Sequence, residues 1–355
     1  MKVMNTSASE KKKSLTIVDV AQMLGVSKST VSAAFTGNGT IAPERREAVR
    51  KAAIELGYRP NANAQRLVHQ LQDNTVALVT SYLDLDVRTQ KLQLLQRMLS
   101  DRGYNASIHA LGNVLSAPDA EPEVVIRNLR RLRPLGIVCN QWELNEVARE
   151  ELKRFCEEGG HLVYYDVPLD LDCDQVIFDR EENTYVAMRH LLEMGHREIG
   201  FSLPPDDEWR IKGVRRAFAE FGVPVRQEWL NAPRLGRYED AGGYLADYFC
   251  SLPNRPTAMG VIHDNVAIGF IARLQRRGLR VPEDVSVISH HDTPAALWGS
   301  NVQLTSATQP IETIAEKVAD MLLERIEGKC SGTPRKMLVQ GKLVVRESTA
   351  PPPEV

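Results

Sequence analysis

One repeated alternation limits what this chain can fold into. After residue 74, short β-rich apolar runs are separated by amphipathic stretches long enough for helices. "TVALVT" is followed by a helical stretch around 90–99. "NASIHA", "LGIVCN" and "HLVYYD" are interleaved with helices near 122–132 and 146–158. A second series follows. "QVIF", "EIGFS", "TAMGVI" and "DVSVIS" alternate with helices near 183–194, 210–221, 239–250 and 265–277. Apolar strands joined through helices make parallel sheets covered on both faces. Two series of similar size predict two doubly wound lobes, with ligand expected in the cleft at the strand carboxyl ends. The 355 residues are 43% hydrophobic and 25% charged, as a packed core requires.

The first 72 residues read differently. Thr16 can cap a helix, with Asp19 three residues on as a weaker capping box. Ile17, Val20, Ala21 and Leu24 then form one apolar stripe. Gly25 ends that helix, and Ser27 is at once a new N-cap. Two helices joined by so tight a turn predict a helix-turn-helix. The second helix runs from about Lys28 to Phe35, with Val31 and Phe35 facing inward. Lys28, Ser29, Ser32 and Ala33 are placed on the outer face. Gly37, Asn38 and Gly39 break it. A third helix starts near Pro43, buries Val49, Ala52, Ala53 and Leu56, and stops at Gly57. In such a motif the second helix meets base edges and phosphates, and small and hydroxyl residues at its start allow close approach.

Charge supports the division. Residues 1–72 carry eleven Lys/Arg against five Asp/Glu, a net of +6. The whole chain is −2, so the remainder is −8. A basic head on an acidic body suggests a polyanion partner for the head. No apolar run approaches the about 20 residues of a membrane span, and "MKVMNTSASEKKKS" has no apolar signal core. Five scattered cysteines without CxxC spacing fit a reducing compartment. A cytoplasmic, nucleoid-associated protein is expected.

Between head and body lies "YRPNANAQRLVHQL", whose helix-capable core, 61–68, is too short to be stable in isolation. It can fold on binding. Leu67 beside Arg66 suits an apolar wedge between base steps in the minor groove.

"TIVDVAQMLGVSKSTVS" through "RREAVRKAAIELGYRPNANAQRL" resembles the DNA-binding head and hinge of the lactose-repressor (LacI/GalR) family of bacterial transcription regulators. "ENTYVAMRHLLEMGHREIGF", "RPTAMGVIHDNVAIGFIARLQRRGLRVPEDVSVISHHD" and "LVVRESTAPP" resemble the family's effector domain, a type I periplasmic-binding-protein-like fold. The resemblance implies a homodimer on a near-palindromic double-stranded operator, with a small-molecule effector between the lobes. It implies DNA contacts from Thr16, Ser27, Lys28, Ser29, Thr30, Ser32, Ala33 and Asn38 in the head. In the hinge it implies Tyr58, Asn61, Ala64, Arg66 and Leu67. Most members carry Arg where this chain has Ala33, which removes a guanine contact of roughly 1–3 kcal/mol. The loop "SYLDLDVRTQK" lacks the family's Asn-Pro-Phe-Phe pattern. The expected organisation is a disordered basic tail at 1–13, a helix-turn-helix domain at 14–59, a hinge at 60–74, a body at 75–346 and a disordered tail at 347–355. Three lobe crossings are expected near 173, 301 and 334. Lobe 1 then holds about 75–173 and 302–333, and lobe 2 about 174–301 and 334–346.

Within the cleft, Arg210 matches a family arginine that reaches sugar hydroxyls or a carboxylate, and its bidentate geometry suits either. Tyr238 matches an aromatic position beside the ligand. Ser81, Trp142, Asp166 and Phe178 are candidates from their places at strand ends. His263 and His291 stand where many sugar-binding members have Asn and Asp. Histidine donates as well as accepts and titrates near neutrality. Three possibilities stay open: a neutral sugar, an anionic or acidic-sugar derivative, or no effector, with the lobes serving only for dimerisation. No cofactor is implied. His263, His290, His291 and Asp292 lack metal-site spacing, and no GxSxG, P-loop or GxGxxG fingerprint supports an enzyme. A solute-binding protein would leave residues 16–67 without a role. An effector-free architectural DNA binder would need no two-lobed body.

Overall fold

The computed structural model describes residues 16–36, 42–56, 74–82, 87–112, 122–140, 144–203, 207–231 and 238–354. The chain divides into a unit up to Asp73 and a unit from Asn74 onward.

The first unit contains α1 (Ile17–Met23), α2 (Lys28–Thr36) and α3 (Pro43–Glu55). The predicted capping box forms: Asp19 N donates to Thr16 Oγ1 at 3.3 Å, and Thr16 N donates back to Asp19 Oδ2 at 2.8 Å. Gly25, at φ +64°, makes the turn that a Cβ would disfavour. Val20, Ala21, Val31, Ala34, Val49 and Ala53 are the core. Ala52 and Leu56, expected inside, are only half-buried, because α3 turns Val49 and Ala53 inward instead. Ala33 was expected on the outer face but is only 9% exposed. A methyl group does not project past longer neighbours, so an outward position does not make it accessible.

The second unit holds two six-stranded sheets. Lobe 1 contains β1 (Thr75–Tyr82), α4 (Val87–Asp101), β2 (Asn105–Gly112), α5 (Pro122–Leu132), β3 (Gly136–Cys139), α6 (Glu146–Glu157), β4 (His161–Asp166) and β5 (Asp174–Phe178). Lobe 2 contains α7 (Arg180–Glu193), β6 (Ile199–Ser202), α8 (Glu208–Glu220), β7 (Leu230–Asn231), α9 (Tyr238–Ser251), β8 (Ala258–Val261), α10 (Asp264–Arg276), β9 (Ser286–His291), α11 (Ala295–Trp298) and β10 (Thr305–Thr308). The chain returns to lobe 1 as α12 (Ile311–Ile326) and β11 (Lys336–Val339), then to lobe 2 as β12 (Leu343–Val344). The strand orders are β11-β5-β4-β3-β1-β2 and β12-β10-β9-β8-β6-β7. Among the described residues every strand pairing is parallel except β10 with β12. In lobe 1, Leu92, Leu95 and Leu99 of α4 pack with Ile314, Val318 and Leu322 of α12 over one sheet face. Leu152 and Phe155 of α6 pack with Ile126 and Leu129 of α5 over the other. Lobe 2 repeats the plan with α7 and α8 on one face and α9 and α10 on the other.

The crossings differ from the expected positions. β5 pairs with β4, Val163 opposite Asp174, so "QVIF" belongs to lobe 1. β10 pairs with β9 in lobe 2, and β11 with β5 in lobe 1. The exchanges therefore fall near 179, 309 and 341, not 173, 301 and 334. The reason is topological: the lobes face each other across strand carboxyl ends, so each strand is completed before the chain leaves. The crossings are tied together. Asn183 Nδ2 donates to Thr308 O at 3.0 Å, Thr308 N to Lys342 O at 2.7 Å, and Gln340 Nε2 to Asp179 Oδ2 at 3.1 Å. Gly341 lies so close to the Thr308 carbonyl that any side chain would collide with it.

The segment after residue 346 was expected to be a disordered tail. Instead Ser348 and Thr349 are buried in lobe 2. Val287 N donates to Ser348 O at 2.7 Å, Ser348 Oγ to Val287 O at 2.6 Å, and Thr305 N to Ser348 Oγ at 2.8 Å. Its small and hydroxyl residues look like linker chemistry, but they match polar backbone groups left open on β9 and β10.

Candidate functional site

In the first unit, hydroxyls gather at the start of α2. Ser27 Oγ accepts from Thr30 N at 3.0 Å, which caps the helix. Ser27 Oγ also lies 2.7 Å from both Ser29 Oγ and Thr30 Oγ1. Ser27, Lys28 and Ser29 are exposed, whereas Thr30 and Ser32 are half-buried. A helix N-terminus with hydroxyls and an ammonium is suited to phosphate oxygens. The Thr16 hydroxyl is engaged in its own cap. Asn38, Tyr58, Asn61, Ala64, Arg66 and Leu67 lie outside the described residues.

In the second unit, the strand carboxyl ends bring titratable groups of both lobes together. Asp166 ends β4 at φ +76° and is buried. A non-glycine residue keeps that conformation only where its surroundings over-determine it. Asp166 accepts a short hydrogen bond from Lys91 Nζ of α4 and another, at 3.3 Å, from Gln309 Nε2 at the second crossing. Burial pushes the Lys91 ammonium below its ordinary range, and the Asp166 carboxylate opposes that shift. Asp207 caps α8, accepting from Arg210 N at 3.2 Å. Asp207 Oδ2 also lies 3.2 Å from Arg210 Nε and 3.8 Å from Arg180 Nη1. Arg210 Nη1 reaches Thr184 Oγ1 at 3.4 Å. Burial brings Arg180 down to about 9; Arg210 and Arg88 add to the shift, while Asp207 and Asp166 oppose it. Arg180 thus feels a carboxylate of each lobe.

The histidines have separate roles. His291 ends β9 at φ +96°, and its ring meets that of His263 edge-to-face at 4.6 Å. His290 is fully buried, and its Nδ1 lies 3.2 Å from Val261 O. A carbonyl only accepts, so Nδ1 carries the proton. Burial, then Arg210, hold this imidazole well below its ordinary range and therefore neutral. Asp264 accepts from Ser289 Oγ, Ser306 Oγ, Thr293 N and Thr293 Oγ1 at 2.6–3.0 Å. Its carboxylate is spent within lobe 2, holding the β9–α11 turn.

The structure draws Asp166 and Arg210 into one neighbourhood through Arg180, and brings His263 to His291. Phe178 is 2% exposed and packs with Val339 in the lobe 1 core. Ser81 is half-buried at the end of β1. Tyr238 begins α9, its side chain outside the description, and Trp142 lies outside the described residues. Sequence reasoning missed Lys91, Arg180, Asp207 and Gln309. Lys91 had a signal: it interrupts the buried stripe Val87, Leu92, Leu95, Leu99 of α4. Several buried polar atoms near the strand ends lack a hydrogen-bond partner: Asn140 Oδ1, Tyr165 OH, Ser202 Oγ, His290 Nε2 and Gln309 Oε1. Such atoms are rare in folded proteins, and all five belong to residues at or near strand carboxyl ends. Among the described residues, no group of three or more His, Cys, Asp or Glu is placed to hold a metal.

Residues 16–61 match the family model "Bacterial regulatory proteins, lacI family", and residues 188–349 match a periplasmic binding protein-like domain. The HTH-type transcriptional repressor PurR of Vibrio vulnificus (strain CMCP6) is 30% identical over 338 residues, covering 94% of this chain and 98% of that protein. PurR of Escherichia coli (strain SMS-3-5 / SECEC) is 29% identical over 348 residues, covering 95% and 98%. The lac repressor dimer bound to operator and the anti-inducer ONPF shares the fold, with a TM-score of 0.77 at 23% identity and coverage of 95% and 100%. A CelR–cellobiose complex has a TM-score of 0.68 at 25% identity, covering 94% and 99%. The helix-turn-helix and the two wound lobes are thus shared in order and nearly full length, and the chain belongs to the lacI family of bacterial regulatory proteins: a transcriptional regulator and not an enzyme.

Proposed function

We propose that this chain is a dimeric repressor that reads a near-palindromic operator and whose DNA affinity is set by a small polar molecule between its lobes, a sugar or sugar derivative. The observation that carries the effector part is the set of buried, unpartnered polar atoms on strand ends of both lobes, with Gln309 at a crossing between them. The CelR structure holds cellobiose and the lac repressor structure ONPF, which makes a carbohydrate-like effector a natural first choice here. For the dimer, α11 presents Trp298 at 73% and Leu297 at 46% exposure, large apolar surface suited to a second copy. Ligand shifts the population of lobe arrangements, and that shift changes the spacing of the paired hinges.

Selection of binding sites from a random duplex pool tests the DNA part. A near-palindrome is expected; recovery of no motif overturns operator reading. On the selected site, Leu67→Ala is expected to weaken specific binding by about tenfold or more, and non-specific binding by less than about twofold. Equal losses on both would remove the wedge role.

Arg210 is expected to carry the response. Arg210→Ala alone leaves buried Asp207 short of its nearest cation, so the informative variant is Asp207→Asn with Arg210→Met. Asn still caps α8, and Arg180, which loses Asp207, keeps Asp166 as an opposing carboxylate. Operator affinity without effector should stay within about twofold, while the effector response is lost. A response equal to wild type would exclude Arg210 from the site.

A further inference from the structure

We propose that Lys28 is the specificity-determining residue of the head and that it reads one guanine in each operator half-site. The proposal rests on the operator reading above and names the base on which that reading turns. The sequence of α2 is KSTVSAAFT, so Lys28 is its only long polar side chain. Lys28 is exposed, and no ion pair joins it to another described residue. Ala33, where most members of the family carry Arg, ends in a methyl group and is 9% exposed. Ser32 is half-buried.

The hydroxyls beside Lys28 are committed elsewhere. Ser27 Oγ accepts from Thr30 N at 3.0 Å and lies 2.7 Å from both Ser29 Oγ and Thr30 Oγ1. A hydroxyl has one hydrogen and two lone pairs. One lone pair of Ser27 takes the Thr30 amide, so Ser27 donates to one of its two hydroxyl neighbours and accepts from the other. Ser29 and Thr30 therefore complete the helix cap before any DNA arrives. They can still meet phosphate oxygens, but phosphate contacts carry no sequence information. Readout by α2 falls to Lys28.

For the free head, a lysine is a poor choice at this position. The amino end of a helix carries partial positive charge and favours acids, and α1 and α3 place Asp19 and Glu44 in their first turns. By contrast, α2 starts on an ammonium and has no acid in its first turn. A residue that the free helix disfavours, on the helix that enters the groove, is accounted for by what it binds. The ammonium then fixes the base. It has three donors and no acceptor. In the major groove guanine offers two acceptors, O6 and N7. Adenine sets the N6 donor beside N7, cytosine offers the N4 donor, and thymine sets a methyl group beside O4. A donor-only group is matched by guanine and opposed by the donors of adenine and cytosine.

The test uses the full chain and duplexes selected from a random pool. Wild type, Lys28→Gln, Lys28→Arg and Ser29→Ala are each taken through selection. Affinities are then measured on the wild-type site and on its single base-pair exchanges. The wild-type site is expected to carry a G·C pair at one symmetric position of each half-site. Its exchange for A·T in one half-site should lower affinity about 5- to 100-fold. Lys28→Gln is expected to lose guanine at that position alone and to take adenine, which an amide meets with two bonds; Lys28→Arg is expected to keep guanine. Ser29→Ala should weaken every duplex alike and leave each preferred base as it was. With wild type itself, 7-deazaguanine at that position deletes N7 and keeps the pairing, and should cost about threefold or more. An unchanged preference at every position in Lys28→Gln, with weaker binding throughout, makes Lys28 a phosphate contact and overturns the proposal. So does a 7-deazaguanine duplex bound as tightly as the parent. A shifted base preference in Ser29→Ala overturns the assignment of readout to Lys28 alone. Recovery of no motif by wild type overturns the operator reading itself, and the proposal with it.

Discussion

Replacing Asp166 by alanine should lower the stability of the body by about 3–5 kcal/mol near pH 7, with part of the loss returning as the pH rises. Lys91 is fully buried, and Asp166 is the carboxylate that offsets its desolvation. Around Lys91, Arg88 and Arg180 push in the same direction as burial. Without Asp166 the ammonium must stay charged and uncompensated, or lose its proton. Deprotonating a lysine of ordinary value 10.5 at about pH 7 costs about 5 kcal/mol, which bounds the effect from above. The sign of the pH dependence follows. Between the lowered folded value and 10.5, the unfolded chain binds more protons than the folded one. Stability therefore rises with pH through that window. Urea titrations at about pH 7 and about pH 9.5 read the slope; a variant whose deficit is flat or grows with pH would contradict the account. The paired variant Lys91→Met with Asp166→Asn should recover much of the loss and show no such slope, because no charge is left alone.

Ending the chain after Glu347 should be as severe. Ser348–Ala350 are few residues, yet they close the polar groups of three elements. Removing them strips partners from Val287 N, Val287 O, Thr305 N and the Ser286 hydroxyl. It also strips the Ala350 carbonyl, 2.8 Å away, from His196 Nε2. Each buried group left unpaired costs about 1–3 kcal/mol, so the sum is on the order of 5 kcal/mol or more, comparable with the whole stability of a domain. Loss of cooperative melting is expected. Ser348→Ala alone should cost about 1–3 kcal/mol, since it removes one hydroxyl with two partners. A shortened chain that melts within about a degree of the full one would show that solvent replaces these bonds.

What could be read beforehand was local, and what could not was long-range. The capping box at Thr16, the turn at Gly25 and the inward Val31 depend on neighbours a few residues away. The βαβ alternation likewise depends on patterns within each segment. Lobe membership does not. "QVIF" looks the same in either sheet, and only its pairing with Val163 and Tyr164 assigns it to lobe 1. The segment after Arg346 read as a linker because its partners, Ser286 and Val287, are some sixty residues earlier. At the crevice, Asp166, Arg210, His263 and His291 were visible as strand-end residues or through the resemblance. Arg180 and Asp207 were not, because a helix-start arginine and a helix cap are ordinarily solvated surface features. In the folded body both are buried, and Arg180 feels Asp166 and Arg88 of lobe 1. Ala33 was misplaced for another reason: angular position on a helix does not set exposure when the side chain is a single methyl.

The three tied crossings also bear on how the protein is made. Lobe 1 lacks α12 and β11 until residue 339 has been synthesised, and lobe 2 lacks β12 and its Ser348 clasp until a few residues later. Until then the face of α4 carrying Leu92, Leu95 and Leu99 has nothing to pack against from α12. The helices of the head are complete by residue 55. At roughly 5–20 residues per second, the ribosome carries a finished head on an unfinished body for about 15–60 s. During that interval the apolar lobe faces that α12, β11 and β12 later cover are open to solvent. Both lobes are therefore completed by segments made more than 100 residues after their own first strands.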